Sequence, residues 1–151
     1  MIDIDSIVKM LDWDNDISIQ ASGIAQAGEV KCLKAFFQPT SCLYGKRVWE
    51  NCAIVICSRN DNELVPYLLD MLLWLQDINW PGAERVLRRL TQFCDGDYLG
   101  FLISRMIPAL IAVDDYTWLT NLQELINDGN LSECISEGCR KSLECYFNQH
   151  E

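Results

Sequence analysis

The sequence has only one histidine, His150, which is the second-last of its 151 residues. Serine- and cysteine-based catalysis needs a histidine held beside the nucleophile inside the fold, and this position argues against such a pair. Glycine-rich phosphate loops, the zinc motif HExxH and the EF-hand pattern are also missing. We therefore predict a protein that is not an enzyme, with no catalytic residue and no bound cofactor.

Basic residues are also scarce, with 12 Lys and Arg against 22 Asp and Glu, which gives a formal net charge of −10. Nucleic acids and anionic membranes are repelled by such a protein at long range, whereas a basic partner is attracted. Acidity also serves solubility alone in many proteins. We expect the partner to be another protein, a basic one, rather than a nucleic acid or a membrane.

Long apolar runs are missing too. The best candidate, "FLISRMIPALIAV" (101–113), is interrupted by Arg105 and Pro108 and is too short to span a bilayer. The first ten residues, "MIDIDSIVKM", are acidic and lack the apolar centre of a signal peptide. We therefore predict a cytoplasmic protein whose eight cysteines are reduced. Cys52 and Cys94 occupy apolar helical positions and are expected in the core.

Four residues near the C-terminal end raise the question of a metal site. Cys134, Cys139, Cys145 and His150 have the spacing C-x4-C-x5-C-x4-H, which lacks the close C-x2-C pair of zinc ribbons and fingers. A helix that docks its apolar side chains on the preceding helices explains the same segment. We predict no metal.

Alternating apolar and polar residues, the mark of a strand, are almost absent. Apolar residues instead recur every three or four positions, which predicts amphipathic helices with one face turned inward. Such stripes occupy residues 17–27, 48–56, 83–94 and 116–127.

Two further segments, 63–76 and 98–113, are apolar nearly all round and predict helices that are covered on most sides. Pro66 lies close enough to the start of the first to be tolerated there. Pro108 lies well inside the second, where we expect it to kink or divide the helix.

The order of these segments indicates helical pairs. Their second helices start roughly 30 to 35 residues apart, the period of stacked two-helix units. The starts lie near Asp16, Lys46, Pro81 and Tyr116, after the turn or capping residues Asn15, Gly45, Asn79 and Asp115. Because no pair buries its stripe alone, we predict a short solenoid that forms a single domain over residues 1–151, with 129–151 as a C-terminal helical cap.

The stretch "WLQDINWPG" (74–82) contains two tryptophans and a Pro-Gly step. Turn residues explain it as a corner, with Asn79 as the capping residue and a new helix that starts with Trp80-Pro81. Trp80 is expected to pack across this corner onto Trp74 or onto the neighbouring pair.

Three stretches together resemble a known family: "ELVPYLLDMLLWLQDINWPGAERVLRRL" (63–90), "DDYTWLTNLQELI" (114–126) and "YGKRVWENCAIVI" (44–56). They are similar to an uncharacterised bacterial family of small HEAT-like domains with a Leu-Gln/Glu-Asp-x-Asn-Trp-Pro corner and a later Asp-Asp-x-x-Trp helix start. The resemblance implies an ARM/HEAT-type α-α superhelix without an assigned reaction, and an association with polymorphic toxins as a candidate immunity protein. With the repeat, it predicts an all-α fold: a short right-handed α-α superhelix of about four helical pairs.

Acidic residues gather at three predicted corners, where they could serve acid–base chemistry or cap helices. Capping is the better interpretation, because helix starts need acceptors for their free N–H groups. The residues are Asp12, Asp14, Asp16, Asp95, Asp97, Asp114 and Asp115.

A group of basic residues stands out in this acidic protein. Second helices of a solenoid line one surface, which is often the binding face, although an exposed face with salt bridges explains the same residues. Glu84 can pair with Arg88 four residues later, whereas Arg85 and Arg89 repel each other at that spacing. The candidate partner-binding residues are Lys46, Arg47, Glu50, Arg85, Arg88 and Arg89, and Glu50 is expected to neutralise part of the group.

Two functions fit these observations. The first is a non-catalytic protein-interaction module of the HEAT-like type, such as an immunity or adaptor protein. The alternative is a nucleic-acid-acting enzyme or binder of the HEAT-like DNA glycosylase type, which the net charge disfavours. Its aromatic groove would consist of Trp49, Trp80 and Trp118 with the arginines, and Asp77 or Asp115 would be its acid.

Overall fold

The computed structural model describes residues 2–151, and this part of the chain is all-helical, without a β-strand. The predicted fold class is therefore confirmed at this level. No helix among these residues is both long and apolar enough to cross a membrane. The α-helices are α1 Ile4–Met10, α2 Ile17–Ala27, α3 Gln38–Ser41, α4 Trp49–Cys57, α5 Asp61–Leu64, α6 Leu68–Trp74, α7 Ala83–Thr91, α8 Gly96–Ala112, α9 Tyr116–Asp128 and α10 Glu137–Gln149.

The helices with amphipathic stripes pack side by side. Helix α2 contacts α4, α4 contacts α7, and α7 contacts α9. Other contacts join the remaining helices, because α1 packs on α2, α3 contacts α6, α6 contacts α8, and α8 contacts α10. The inward face of α7, with Val86, Leu87 and Leu90, is buried as its stripe predicts. The binary pattern therefore identified the helices that build this row.

The segment predicted as one helix over 63–76 is divided in the structure. A single 3-10 turn, Val65–Tyr67, separates α5 from α6. Pro66 lies in this turn and has no N–H to donate to the carbonyl four residues earlier, as a continuous α-helix requires. Leu69 is 52% exposed, so the segment is also less covered than its apolar composition predicts.

Pro108 has a different effect, because α8 continues through it without a break. A proline leaves the carbonyl four residues earlier without its helical donor, and here that carbonyl belongs to Ser104. The Cys139 thiol lies 3.2 Å from this oxygen and donates to it. The Ser104 hydroxyl accepts from the Ser136 amide at 3.1 Å. The start of α10 therefore supplies a donor to the carbonyl that Pro108 leaves without a helical partner. The helix is not divided at Pro108.

The corner over 74–82 is present, but α7 starts later than predicted. The helix begins at Ala83, and its N-cap is Gly82 in the left-handed region with φ +86°. Asn79 does not cap α7; its backbone amide donates to the Asp77 side chain at 2.9 Å. Trp80 and Pro81 belong to the turn.

Aromatic packing holds this corner on α4. Trp74 is fully buried, and its indole N–H donates to the Pro81 carbonyl at 3.0 Å. Trp49 packs edge-on against Trp74 with ring centroids 6.2 Å apart, and Trp80 packs edge-on against Trp49 at 5.4 Å. Trp80 therefore lies across the corner on the neighbouring helix, one of the two positions expected from the sequence.

The cysteines divide between core and surface. Cys52 is fully buried as expected, whereas Cys94 is exposed, because α7 ends at Thr91 and the stripe does not continue past Phe93. Within residues 2–151, no three His, Cys, Asp or Glu side chains come together as a metal site. The predicted C-terminal cap contains α10, which docks Leu143 and Tyr146 into the core.

Gly82→Ala is predicted to lower the free energy of unfolding by roughly 2–4 kcal/mol. The alanine would have to adopt a left-handed backbone conformation, and its Cβ would overpack the contact between α7 and α4. A Cβ atom at this position would lie 2.6 Å from the Cβ of Ala53 and 3.1 Å from the Trp49 carbonyl. Urea unfolding followed by tryptophan fluorescence measures the change. Gly138→Ala is the matched control, since nothing lies within 4 Å of its Cβ. Equal stability of the two variants would contradict the close approach of α7 and α4.

Candidate functional site

An open groove runs along the outer face of α7 and the tryptophan corner before it, with a volume of about 530 Å³. We call it the α7 groove. Its main side chains are Glu50, Trp80, Glu84, Arg85, Arg88 and Gln92. Because α7 buries one stripe of apolar residues, its polar residues necessarily project on this side.

The pair Glu50 and Arg85 forms one wall of the α7 groove. The Arg85 guanidinium donates to the Glu50 carboxylate from two nitrogens, each at 3.2 Å. This bond joins α7 to α4. Glu50 therefore neutralises part of the basic group, as its position on the adjacent helix predicts.

Arg88 is the free cation of the groove. It is exposed, and no carboxylate within residues 2–151 forms an ion pair with it. The predicted pair between Glu84 and Arg88 is not formed, although the spacing allows it. Arg88 is thus available to an acceptor from outside the chain.

Arg89, a predicted partner-binding residue, lines the α7 groove but is mostly buried and is paired within the chain. Its side chain is only 11% exposed, and it donates to the Asp61 carboxylate at 2.6 Å and to the Arg59 carbonyl at 3.0 Å. The expected repulsion between Arg85 and Arg89 is relieved, because each guanidinium pairs with a carboxylate on a different element. Sequence spacing could not show this, since Asp61 lies 28 residues before Arg89.

The carboxylate of Asp61 is correspondingly stabilised in its charged form. Burial alone would raise its pKa, but the Cys94 amide at 2.9 Å and the Arg89 guanidinium outweigh burial. The pKa of Asp61 is therefore held below its ordinary value.

A second buried arginine, Arg59, was not identified from the sequence. It donates to the carbonyls of Ala27 at 2.8 Å and Val30 at 2.7 Å, and it pairs with Glu63 at 2.7 Å. The two carbonyls belong to the end of α2 and the turn after it, where helical partners are missing. No local pattern marks this role, because the acceptors lie about thirty residues earlier in the chain.

Lys46 and Arg47 lie outside the described lining of the α7 groove. The Lys46 ammonium is 5.6 Å from the centre of the Trp49 ring and 5.7 Å from that of Trp80, in reach of a cation–π interaction. Arg47 pairs with Asp14 at 3.0 Å, and both side chains are largely exposed. Of the six predicted residues, Glu50, Arg85, Arg88 and Arg89 line the α7 groove, whereas Lys46 and Arg47 do not.

The residues named for a glycosylase-type groove are not brought together on the surface. Trp49 and Trp118 are 6% and 9% exposed, and the Trp118 indole N–H donates to the Leu72 carbonyl at 3.2 Å. Asp115 caps α9 by accepting from the Trp118 amide at 3.1 Å. Only Trp80 keeps a partly exposed ring. Neither buried indole is available to stack on a base.

The corner carboxylates mostly make local hydrogen bonds. Asp95 accepts from the Tyr98 amide at 3.0 Å at the start of α8, and Asp12 accepts from the Asp14 amide at 2.9 Å. Asp16 occupies the N-cap of α2 without a side-chain bond. Asp114 accepts from the Tyr146 hydroxyl at 2.6 Å, and this bond helps to lower the pKa of Asp114. Capping explains Asp95 and Asp115, whereas Asp114 ties α10 to the corner.

One thiol, Cys57, lines the α7 groove. Burial raises its pKa to about 11, although Arg85 and Arg89 act in the opposite direction. A thiol with this pKa is protonated at neutral pH and is therefore a poor nucleophile. The groove presents groups for binding rather than an activated sulfur.

The fold and the groove define an all-helical protein that presents mixed charges beside a tryptophan corner. Residues 50–148 match the family model of a domain of unknown function, DUF5071. The chain therefore belongs to the DUF5071 family. It matches no curated protein and no solved structure. The matched residues include the whole of α7 and the α7 groove.

Asp61→Asn is predicted to lower the free energy of unfolding by about 1.5–3 kcal/mol at pH 7, the range for hydrogen bonds to charged groups. Because folding lowers the pKa of Asp61, its stabilisation is complete above the unfolded pKa of about 4 and is lost as the pH falls below it. Urea unfolding of Asp61→Asn and of the unmodified protein is measured at pH 7, 4 and 3. The difference between their free energies of unfolding should become smaller as the pH falls.

Glu29→Gln is the control for this pH series. Glu29 is exposed and forms no ion pair within residues 2–151, so its removal should change stability little at any pH. A gap between Asp61→Asn and the unmodified protein that stays constant from pH 7 to 3 would disprove the role of the Asp61 charge.

Proposed function

We propose that this protein is a non-catalytic interaction module of the HEAT-like type that binds another protein through the α7 groove. In this proposal it acts in the cytoplasm as an immunity or adaptor protein. Its partner carries a net positive charge, because a chain with ten excess negative charges attracts such a protein at long range.

A right-handed α-α superhelix of about four pairs is the architecture we propose for this module. The successive contacts of α2 with α4, α4 with α7 and α7 with α9 support it. Solenoids use one row of helices as an extended binding surface. The outer face of α7 belongs to this row and carries the groove.

The observation that supports the proposal most directly is that Arg88 has no ion-pair partner among the described residues. It is exposed and unpaired within the described residues, and it lines the same groove as the partly exposed Trp80. Arginine and tryptophan are the residue types that most often dominate binding energy at protein interfaces. The pairs Arg85–Glu50 and Arg89–Asp61 hold the surrounding helices, so Arg88 is presented from a rigid frame.

Arg88→Glu is predicted to abolish capture of the partner while leaving the fold intact, because its side chain makes no ion pair that holds the fold. The tagged full chain serves as bait in a lysate of its own source cells, with mass spectrometry of the eluted proteins at moderate salt. Unmodified bait should retain one basic protein in stoichiometric amount, and Arg88→Glu should retain less than about a tenth of it.

Arg105→Glu is the matched control. Arg105 is exposed on α8, away from the α7 groove, and its replacement changes the net charge by the same amount. Loss of the partner with both variants would mean that long-range charge alone explains binding. Retention with both would exclude the α7 groove, and the absence of any partner would contradict the interaction module.

A further inference from the structure

A second groove lies between α9 and α10, at the other end of the chain from α1. It consists of two adjoining depressions of about 420 and 370 Å³ that share Gln123 and Phe147. We call it the α9–α10 groove. The two depressions lie next to each other along α9, with Phe147 between them.

The floor of the α9–α10 groove is apolar. Ile126, Ile135 and Leu143 lie beneath it and are 2–3% exposed. Phe147 lies half-buried between the two depressions, and Tyr116 packs edge-on against it with ring centroids 6.1 Å apart. Tyr116 is itself 48% exposed, a large value for an aromatic side chain in contact with the core.

The rim of the same groove is acidic. Glu124, Asp128 and Glu144 are exposed, and none of them forms an ion pair within residues 2–151. The one basic side chain there, Arg140, is already paired with Glu133 at 3.5 Å. The carboxylates of the rim are therefore free to meet cations from outside.

The part of the chain that contains this groove carries most of the net charge. Residues 95–151 contain ten acidic and three basic side chains, so they carry seven of the ten net negative charges. The arginine-bearing α7 lies in the remaining part, which carries the other three net negative charges. Long-range attraction of a basic protein is therefore stronger at the α9–α10 end of the molecule.

We infer that the α9–α10 groove binds a basic amphipathic helix of a partner protein. Its apolar side chains would lie on Phe147 and Tyr116, and its lysine or arginine side chains would pair with the three rim carboxylates. A helix laid in an apolar groove with charged edges is a common mode of recognition. This surface is separate from the α7 groove, and the inference does not depend on the role of Arg88.

The test uses the full chain, labelled with 15N, and a synthetic 14-residue peptide with leucine at helical spacing and lysine elsewhere. Amide chemical shifts are followed during titration at two salt concentrations. Shifts should concentrate in residues 116–128 and 140–148, and affinity should fall as salt rises. A peptide of the same composition, with its leucines spread around the helix, should bind at least about fivefold more weakly, because it lacks an apolar face.

Charge reversal on the rim provides the decisive comparison. Glu124→Lys with Glu144→Lys should raise the dissociation constant about tenfold, since each exposed pair contributes modestly and reversal adds repulsion. The matched control, Asp16→Lys with Glu29→Lys, changes the net charge equally and should raise it less than about threefold. Both control residues are exposed, and neither forms an ion pair within residues 2–151.

Several outcomes would overturn the inference. Equal weakening by the two double variants would show attraction to the whole molecule, and stronger weakening by the control would place the peptide on another surface. Equal binding of the two peptides would show that the apolar floor of the groove does not contribute to recognition. Shifts over 116–128 that depend on protein concentration without peptide would indicate a second copy of the chain as the occupant. None of these results concerns Arg88, so the α7 proposal stands or fails separately.

Discussion

The hydrogen bond from the buried Trp74 indole to the Pro81 carbonyl fixes the corner on which the site depends. It holds the end of α6 against the turn, and Gly82 then takes a left-handed conformation that no other residue adopts cheaply. In this conformation the backbone at Gly82 comes so close to Ala53 that no Cβ fits between them. Helix α7 is thereby set against α4, and its polar face opens into the groove. A stretch made of turn residues thus determines where the binding side chains point.

The arginines show how one residue type serves two purposes in this fold. Arg59 and Arg89 lie under the surface and satisfy backbone carbonyls at the ends of earlier elements, each with help from a carboxylate. Such groups would cost free energy if left unpaired away from water. Arg88 differs from Arg89 by one position on the helix, about 100° around its axis, and this rotation turns it to solvent. Two neighbouring arginines in the sequence therefore differ in role. Arg89 forms a structural ion pair, and Arg88 is exposed and unpaired within residues 2–151.

Local sequence patterns predicted the features that depend on neighbouring residues, namely the positions of helices and one of their caps. The apolar stripes identified α2, α4, α7 and α9, and Asp115 caps α9 as its position before the helix indicates. The two prolines show where such reasoning ends. Both remove a helical hydrogen bond, yet only Pro66 lies at a break between helices, whereas α8 continues through Pro108, whose freed carbonyl accepts from the Cys139 thiol on another helix. The same holds for Arg89 and Asp61, whose bond depends on the packing of α7 and α5.

Net charge alone gives an incomplete picture of what this chain attracts, because the charge is unevenly placed. Up to residue 94, four of the five arginines form ion pairs and the net charge is −3, whereas residues 95–151 carry −7 and have unpaired carboxylates beside an apolar groove. The long-range attraction of the molecule for a basic protein is therefore stronger at its α9–α10 end. The α7 groove, with one free guanidinium and a tryptophan edge, suits short-range recognition of a specific acceptor. Under the two proposals, the α9–α10 end supports fast encounter and the α7 groove supports selective binding.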